Sequence, residues 1–151
     1  MKERKARSKL QFHKQERAYS CAVACLKMVL EAFGKDIDES ELRRLCNTTE
    51  LGTFADDIVS CAIELGFNAE KTYLAIADLK RLIEEDIFPI VYVNTYSLNG
   101  IFATHAIIVE EIEDGEVMII DPVAGIRTVP LETFNNLRDA CNNLTIIIKK
   151  S

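Results

Sequence analysis

The dipeptide Asp114-Gly115 constrains this chain more than any other two residues. It stands between two dense runs of β-branched and aliphatic side chains, Phe102 to Ile112 and Glu116 to Ile120. Asp-Gly in that setting favours a two-residue turn with positive φ at both central positions, which joins antiparallel strands. A hairpin is therefore expected, with its open end near His105 and Asp121. Three further segments read as strands: the alternating stretch from Phe67 to Leu74, the β-branched and aromatic run from Phe88 to Val93, and Leu144 to Ile148. After Pro122 and Gly125 the chain is expected to turn.

The first half of the chain carries the other period. From Ala22 onward Val23, Ala24, Leu26, Met28, Val29, Leu30 and Phe33 recur at helical spacing, Ser20 is a good N-cap and Gly34 a C-terminal stop. Asp38-Glu39-Ser40-Glu41 reads as a capping box for a short helix through Cys46, with Leu42 and Leu45 inward. Thr53-Phe54-Ala55-Asp56 has the same form and opens a helix to Leu65, ended by Gly66. Shorter helices are expected from Ala77 to Glu85 and from Leu131 to Ala140. A helical N-terminal layer followed by a mostly antiparallel sheet makes an α+β domain. No repeat or linker divides it, so residues 15–151 read as one domain preceded by a basic arm over residues 1–14.

Composition narrows the function. Hydrophobic residues are 48% and charged residues 28% of 151, ordinary for a soluble globular chain, and no apolar run approaches the ~20 residues of a membrane span. The start, M-K-E-R-K-A-R-S-K-L, lacks the apolar core of a secretory signal. The five cysteines (Cys21, Cys25, Cys46, Cys61, Cys141) are odd in number and do not form a loop-rich framework. The expected compartment is the cytoplasm. With no C-x-x-C pair and only His13 and His105, neither a zinc site nor any cofactor is expected. The first 17 residues carry seven Lys or Arg against Glu3 and Glu16, leaving eleven basic and twenty-two acidic residues in the rest. An acidic body argues against nucleic acid, and the arm reads as a solvated tail.

Cys21 falls at the start of the first helix, beside unpaired amides and the positive end of the helix dipole, a setting that stabilises a thiolate. Alone, a cysteine so placed is more often inert packing. His105 stands inside a strand, T-H-A-I-I-V, where an imidazole needs a partner, and Asp121 ends the facing strand in I-I-D-P. Counting outward from the turn brings them within reach, so that the carboxylate can accept from the imidazole and hold its tautomer. That gives a nucleophile, a base and an orienter. Gln15, six residues before the cysteine, can aim a side-chain N–H at the same spot as the Cys21 backbone N–H, which would form an oxyanion hole. Cys25, one turn after Cys21, lacks the spacing of a redox pair and is read as packing. His13 is read as exposed or structural.

These residues resemble the papain-like cysteine peptidases related to the double-glycine leader peptidases at the front of bacteriocin ABC exporters. The shared pattern falls on Gln15, Cys21, Ala24, Leu26, Met28, Leu30, Phe33-Gly34, the strand from His105 to Val109, and Asp121-Pro122. It extends through A-I-E-L-G-F and G-E-V-M-I-I-D-P. The chain departs from the family in having Ser20-Cys21-Ala22 where Asp-Cys-Gly is common. It also shows neither the exporter's membrane part nor a G-x-x-x-x-G-K-[ST] loop. The resemblance implies a papain-like fold in stand-alone form and a Cys-His-Asp peptidase that cleaves a peptide or protein substrate after small residues such as Gly-Gly. It further implies a substrate docked through an apolar leader helix, and a transporter or other partner supplied separately. The same residues suit two alternatives, a deamidase or transamidase and a non-catalytic module that holds a leader peptide.

Overall fold

The computed structural model describes residues 8–95 and 104–151. The elements run α1 (Cys21–Ala32), α2 (Glu39–Leu45), α3 (Ala55–Glu64), β1 (Phe67–Tyr73), α4 (Ile76–Glu84) and β2 (Ile90–Asn94). They continue with β3 (Thr104–Glu113), β4 (Glu116–Asp121), β5 (Gly125–Pro130), α5 (Leu131–Asp139) and β6 (Leu144–Lys150). The six strands form one sheet in the order β1-β6-β2-β3-β4-β5, with every pair antiparallel. The fold is α+β, as the two periodicities implied.

The helix α1 is apolar almost all round, and so it is buried. Leu26, Met28 and Leu30 have no exposed surface and pack with Leu42 and Ile58 of the next two helices against Ile90, Ala106, Ile108 and Ile146 of the sheet. Burying side chains of this size is worth roughly 1.5–3 kcal/mol each. Cys21, at the head of α1, is thereby fixed relative to the strands. The other face of the sheet is covered as well, by Leu79 of α4 and Phe134 and Leu137 of α5 on Val91, Val93, Ile107 and Ile119. The sheet thus lies between helices on both sides, where the sequence had shown only the N-terminal layer.

Three local expectations are corrected by where the polar side chains go. Ser20 is the N-cap of α1 but makes no capping bond; its hydroxyl turns back to Arg17, accepting from its N–H and donating to its carbonyl, both at 3.0 Å. Asp38 caps nothing, and Glu41 pairs with Arg44 instead of closing a box. Thr53 is displaced from the cap of α3 by Phe54, because its hydroxyl is engaged with that of Thr48 at 2.7 Å. The chain after Gly125, read only as a turn, is the edge strand β5. The arm is not a solvated tail from Ser8 onward: Leu10 is 4% exposed within the α1 core, and the Lys9 and Leu10 amides donate to Glu110 Oε1 at 2.7 and 3.2 Å.

The Asp114-Gly115 turn forms as expected, with φ of 53° and 75°. A strict count from this turn would set Ile108 opposite Asp121, and His105 and Asp121 would then point to opposite faces. The register instead shifts between Val109 and Glu111, so Ile108 faces Ile120. Continuing that register sets Ile107 opposite Asp121. Because side chains alternate, His105 shares the face of Ile107 and hence of Asp121. A one-residue bulge at Glu110 thus puts the imidazole and the carboxylate on one side of the sheet.

Candidate active site

Cys21, His105 and Asp121 line one cleft of about 510 Å³, together with Tyr19, Gly52 and Arg127. His105 Nε2 lies 2.8 Å from Asp121 Oδ1. The same carboxylate oxygen accepts the Val123 N–H at 2.8 Å, and Arg127 Nη1 stands 3.8 Å from the other. Asp121 is thus held from three directions and is 7% exposed. Nε2 is committed to Asp121, which leaves Nδ1 as the second ring nitrogen, and Cys21 shares the cleft with this imidazole, which eases its ionisation.

The electrostatics follow from that chain of contacts. Burial favours the Cys21 thiol, but hydrogen bonds from His105 and the Ala106 backbone, the charge on His105 and the Ala22 backbone outweigh it and hold the pKa below its ordinary value. The Ser20 side chain makes no capping bond that would compete for that amide. Burial likewise works against an imidazolium, yet the bonds to Asp121 and Cys21 push His105 up to about 9. Asp121 is lowered despite its burial by the bonds from His105 and Val123. Cys25 moves the opposite way: it is fully buried, faces the negative charges of Cys21 and Asp121, and is raised well above the ordinary value. Its thiol donates to Ala106 O at 3.5 Å. Of two cysteines one turn apart, one is shifted toward the thiolate and the other away from it.

Gln15 is brought to the same corner by its backbone, whose N–H donates to Pro122 O at 2.9 Å, beside Asp121. Its side-chain Nε2 donates to Arg17 O at 2.8 Å and to Ala18 O at 3.3 Å, so the amide lies against the turn that leads into Cys21. His13 is not free: its Nε2 is 3.1 Å from Glu39 Oε1. His13, Glu16 and Glu39 are close enough to share a cation, but the Arg43 guanidinium already stands 3.3 Å from Glu16 and 3.4 Å from Glu39. The positive charge of Arg43 thus already offsets both carboxylates.

Sequence reading missed two parts of the cleft. Arg127 comes from the unrecognised strand β5, and the only signal for it was the alternation in G-I-R-T-V. The opposite wall is a tight loop closed by reciprocal backbone bonds between Thr49 and Gly52 at 3.0 and 2.9 Å. Gly52 there adopts φ of 105°, which an L side chain rarely does. The loop holds Leu51 in the cleft wall with 99% of its surface exposed. Residues 96–103, which include the start of the run read as a strand from Phe102, lie outside the described residues.

Comparison with known proteins gives consistent results. The model of the peptidase C39 family matches residues 9–146. An uncharacterised protein of Methanothermobacter thermautotrophicus is 28% identical over 123 residues, which covers 82% of this chain and 79% of that one. The pediocin PA-1 transport/processing ATP-binding protein PedD of Pediococcus acidilactici is 29% identical over 111 residues, 74% of this chain but only 15% of that protein. Among solved structures, a double-glycine-motif protease from an AMS/PCAT transporter, crystallised with its leader peptide, superposes with a TM-score of 0.78 at 21% identity, covering 94% of this chain and 92% of that one. The peptidase domain of Streptococcus ComA, a bi-functional ABC transporter of a quorum-sensing pathway, gives 0.76 at 24% identity, covering 94% and 98%.

Proposed function

The chain belongs to the peptidase C39 family, and from that premise we propose that it is a cysteine peptidase whose nucleophile is Cys21, whose acid–base is His105 and whose orienter is Asp121. The observation that carries this reading is the bond of 2.8 Å between His105 Nε2 and Asp121, in a cleft that Cys21 also lines. The thiolate attacks a peptide carbonyl carbon, and the carbonyl π electrons move to oxygen. As the tetrahedral species collapses, the C–N bond breaks and the imidazolium of His105 gives its proton to the leaving amine. The resulting thioester is hydrolysed by a water whose proton passes to His105; the C–S bond then breaks, and Cys21 leaves as the thiolate, which restores the thiolate–imidazolium pair.

The oxyanion is stabilised by the Cys21 N–H and by Gln15. One Gln15 N–H is anchored on Arg17 O at 2.8 Å. The other, at 3.3 Å from Ala18 O, makes the weaker bond, and a developing negative charge would draw it away. For substrate, similarity to a double-glycine protease and to a pediocin-processing protein supports a leader peptide cut after Gly-Gly, with export performed by a separate transporter. The exposed Leu51 and Val123, which both line the cleft, with Phe54 at 81% exposure two residues beyond the lining Gly52, offer the apolar surface a leader helix would need.

The test is intact-mass analysis of a peptide carrying an apolar helix followed by Gly-Gly, incubated with the wild type and with Cys21→Ala and His105→Ala. Two fragments from the wild type and none from either variant is the expected result. A gain of about one mass unit without cleavage would mean deamidation. Tight binding without any change of mass would mean a leader-holding module.

A further inference from the structure

A buried carboxylate that takes no part in the chemistry sits behind Gln15. Glu39, the first residue of α2, has no exposed surface. Its Oε1 accepts the Glu16 backbone N–H at 3.0 Å and lies 3.1 Å from His13 Nε2. Arg43 bridges the assembly from the side, 3.4 Å from Glu39 Oε2 and 3.3 Å from Glu16 Oε1. The two donors to Oε1 come from residues that bracket Gln15 in the chain. Gln15 itself is bonded in front, through its backbone N–H, to Pro122 O at 2.9 Å.

From this arrangement we infer that Glu39 is a positioning residue for Gln15, holding residues 13–16 so that the Gln15 amide stands where the oxyanion forms. The inference rests on the reading of Gln15 as an oxyanion donor. A carboxylate is a poor choice for merely anchoring a helix, since burying it is unfavourable unless donors meet it, and an apolar side chain would fill the space without that cost. What only an acceptor can do here is collect two hydrogen bonds from either side of one residue. The segment has no helix or strand of its own to fix it, because residues 11–19 belong to neither. A transition-state donor needs such fixing, since a displacement of about 1 Å can cost on the order of a hundredfold in rate.

The experiment separates the oxyanion from the thiolate. Peptide cleavage, inhibition by a Gly-Gly peptide aldehyde, and alkylation of Cys21 by iodoacetamide across pH are measured on the wild type, Gln15→Ala, Glu39→Ala, Glu39→Gln, His13→Ala and the Gln15→Ala/Glu39→Ala double variant. Aldehyde binding creates an oxyanion, whereas alkylation does not. Glu39→Ala should lower kcat and aldehyde affinity by about tenfold or more with little change in KM. Its alkylation profile should match the wild type. Glu39→Gln, whose amide oxygen accepts the same two bonds, should stay within about threefold of the wild type, and the double variant should be little worse than Gln15→Ala alone. His13→Ala, which leaves the carboxylate in place, should shift aldehyde affinity in the same direction by less, and it decides the matter if Glu39→Ala does not fold. Additive losses in the double variant, or a loss of alkylation equal to the loss of cleavage, would overturn the inference. If Gln15→Ala alone changes neither cleavage nor aldehyde affinity, it is the oxyanion reading itself that fails.

Discussion

At the scale of the residue, the proposed chemistry depends on two protons, one on Cys21 and one on His105, whose imidazole Asp121 holds at 2.8 Å. Cys21 ionises below its ordinary pKa, and His105 keeps its proton up to about 9. Between those limits the pair is thiolate and imidazolium. Activity should therefore rise as pH passes the lowered Cys21 value and fall as it passes about 9, where the imidazolium is lost. Any stability the fold draws from protonated His105 has the same alkaline limit, being complete below its ordinary value of 6.5 and lost through about 9. Asp121→Asn keeps the shape but removes the charge and the acceptor that hold His105 up. The alkaline limb of the rate profile should move down toward ~6.5, with kcat falling by about a hundredfold or more. An unmoved limb would mean that Asp121 does not control the imidazole. All of the proposed triad was legible in the sequence, because nucleophile, base and orienter each left a local signature: a helix start, a polar residue in a strand, an Asp before Pro. Glu39 left none, since its meaning lies in whom it meets, and Arg127 was hidden in a strand that begins at Gly and ends at Pro, residues that read as a turn.

At the scale of the element, helices and strands followed their periods, but their polar ends did not follow the capping rules. Ser20, Asp38 and Thr53 are all good cap residues by type, and each N-terminus was found by them to within a residue or so. None makes the capping bond, because the Ser20 and Thr53 hydroxyls are taken by neighbours a few residues back, Arg17 and Thr48, and the box acid Glu41 has a nearer cation. The same limit applies to the hairpin. Its turn was readable, whereas the bulge at Glu110 that aligns His105 with Asp121 was not, for an extra residue in a strand has no sequence period. Glu110 has a second task, to accept the Lys9 and Leu10 amides and fasten the N-terminal segment across the sheet. Glu110→Ala leaves both amides without that acceptor and should destabilise the fold by about 1–3 kcal/mol. Glu110→Gln should not, because an amide oxygen serves as well. Thermal melts of the two variants check this, and equal melting points would mean that the segment is held by Leu10 packing alone.

At the scale of the whole molecule, the site is shared between halves of the chain that have little else in common. The helical half supplies Cys21 and Gln15, and the strand-rich half supplies His105 and Asp121. The two are tied by topology as well as by contact: the last strand, β6, inserts between β1 and β2, so the sheet is incomplete until the chain ends. The division into halves was plain in the periodicity. The strand order was not, since pairing across some eighty residues leaves no mark in a local pattern. Such a fold should unfold as one unit. The cysteines provide the measurement, because Cys25, Cys46 and Cys61 are at most 2% exposed while Cys21 is partly open and activated. In rising denaturant, three signals should change at one midpoint: helical circular dichroism, the rapid alkylation of Cys21 near neutral pH, and the alkylation of the three buried thiols. Fast labelling of Cys21 needs His105 beside it, so it reports the union of the halves, as does Cys25, whose thiol meets Ala106 of β3, whereas Cys46 and Cys61 report the core beneath α2 and α3. If rapid Cys21 labelling disappeared at a lower denaturant concentration than the core opened, the hairpin would be detaching from a helical half that folds without it. The raised His105 and lowered Cys21 would then belong to a local docking step, and the activity would be lost before the fold.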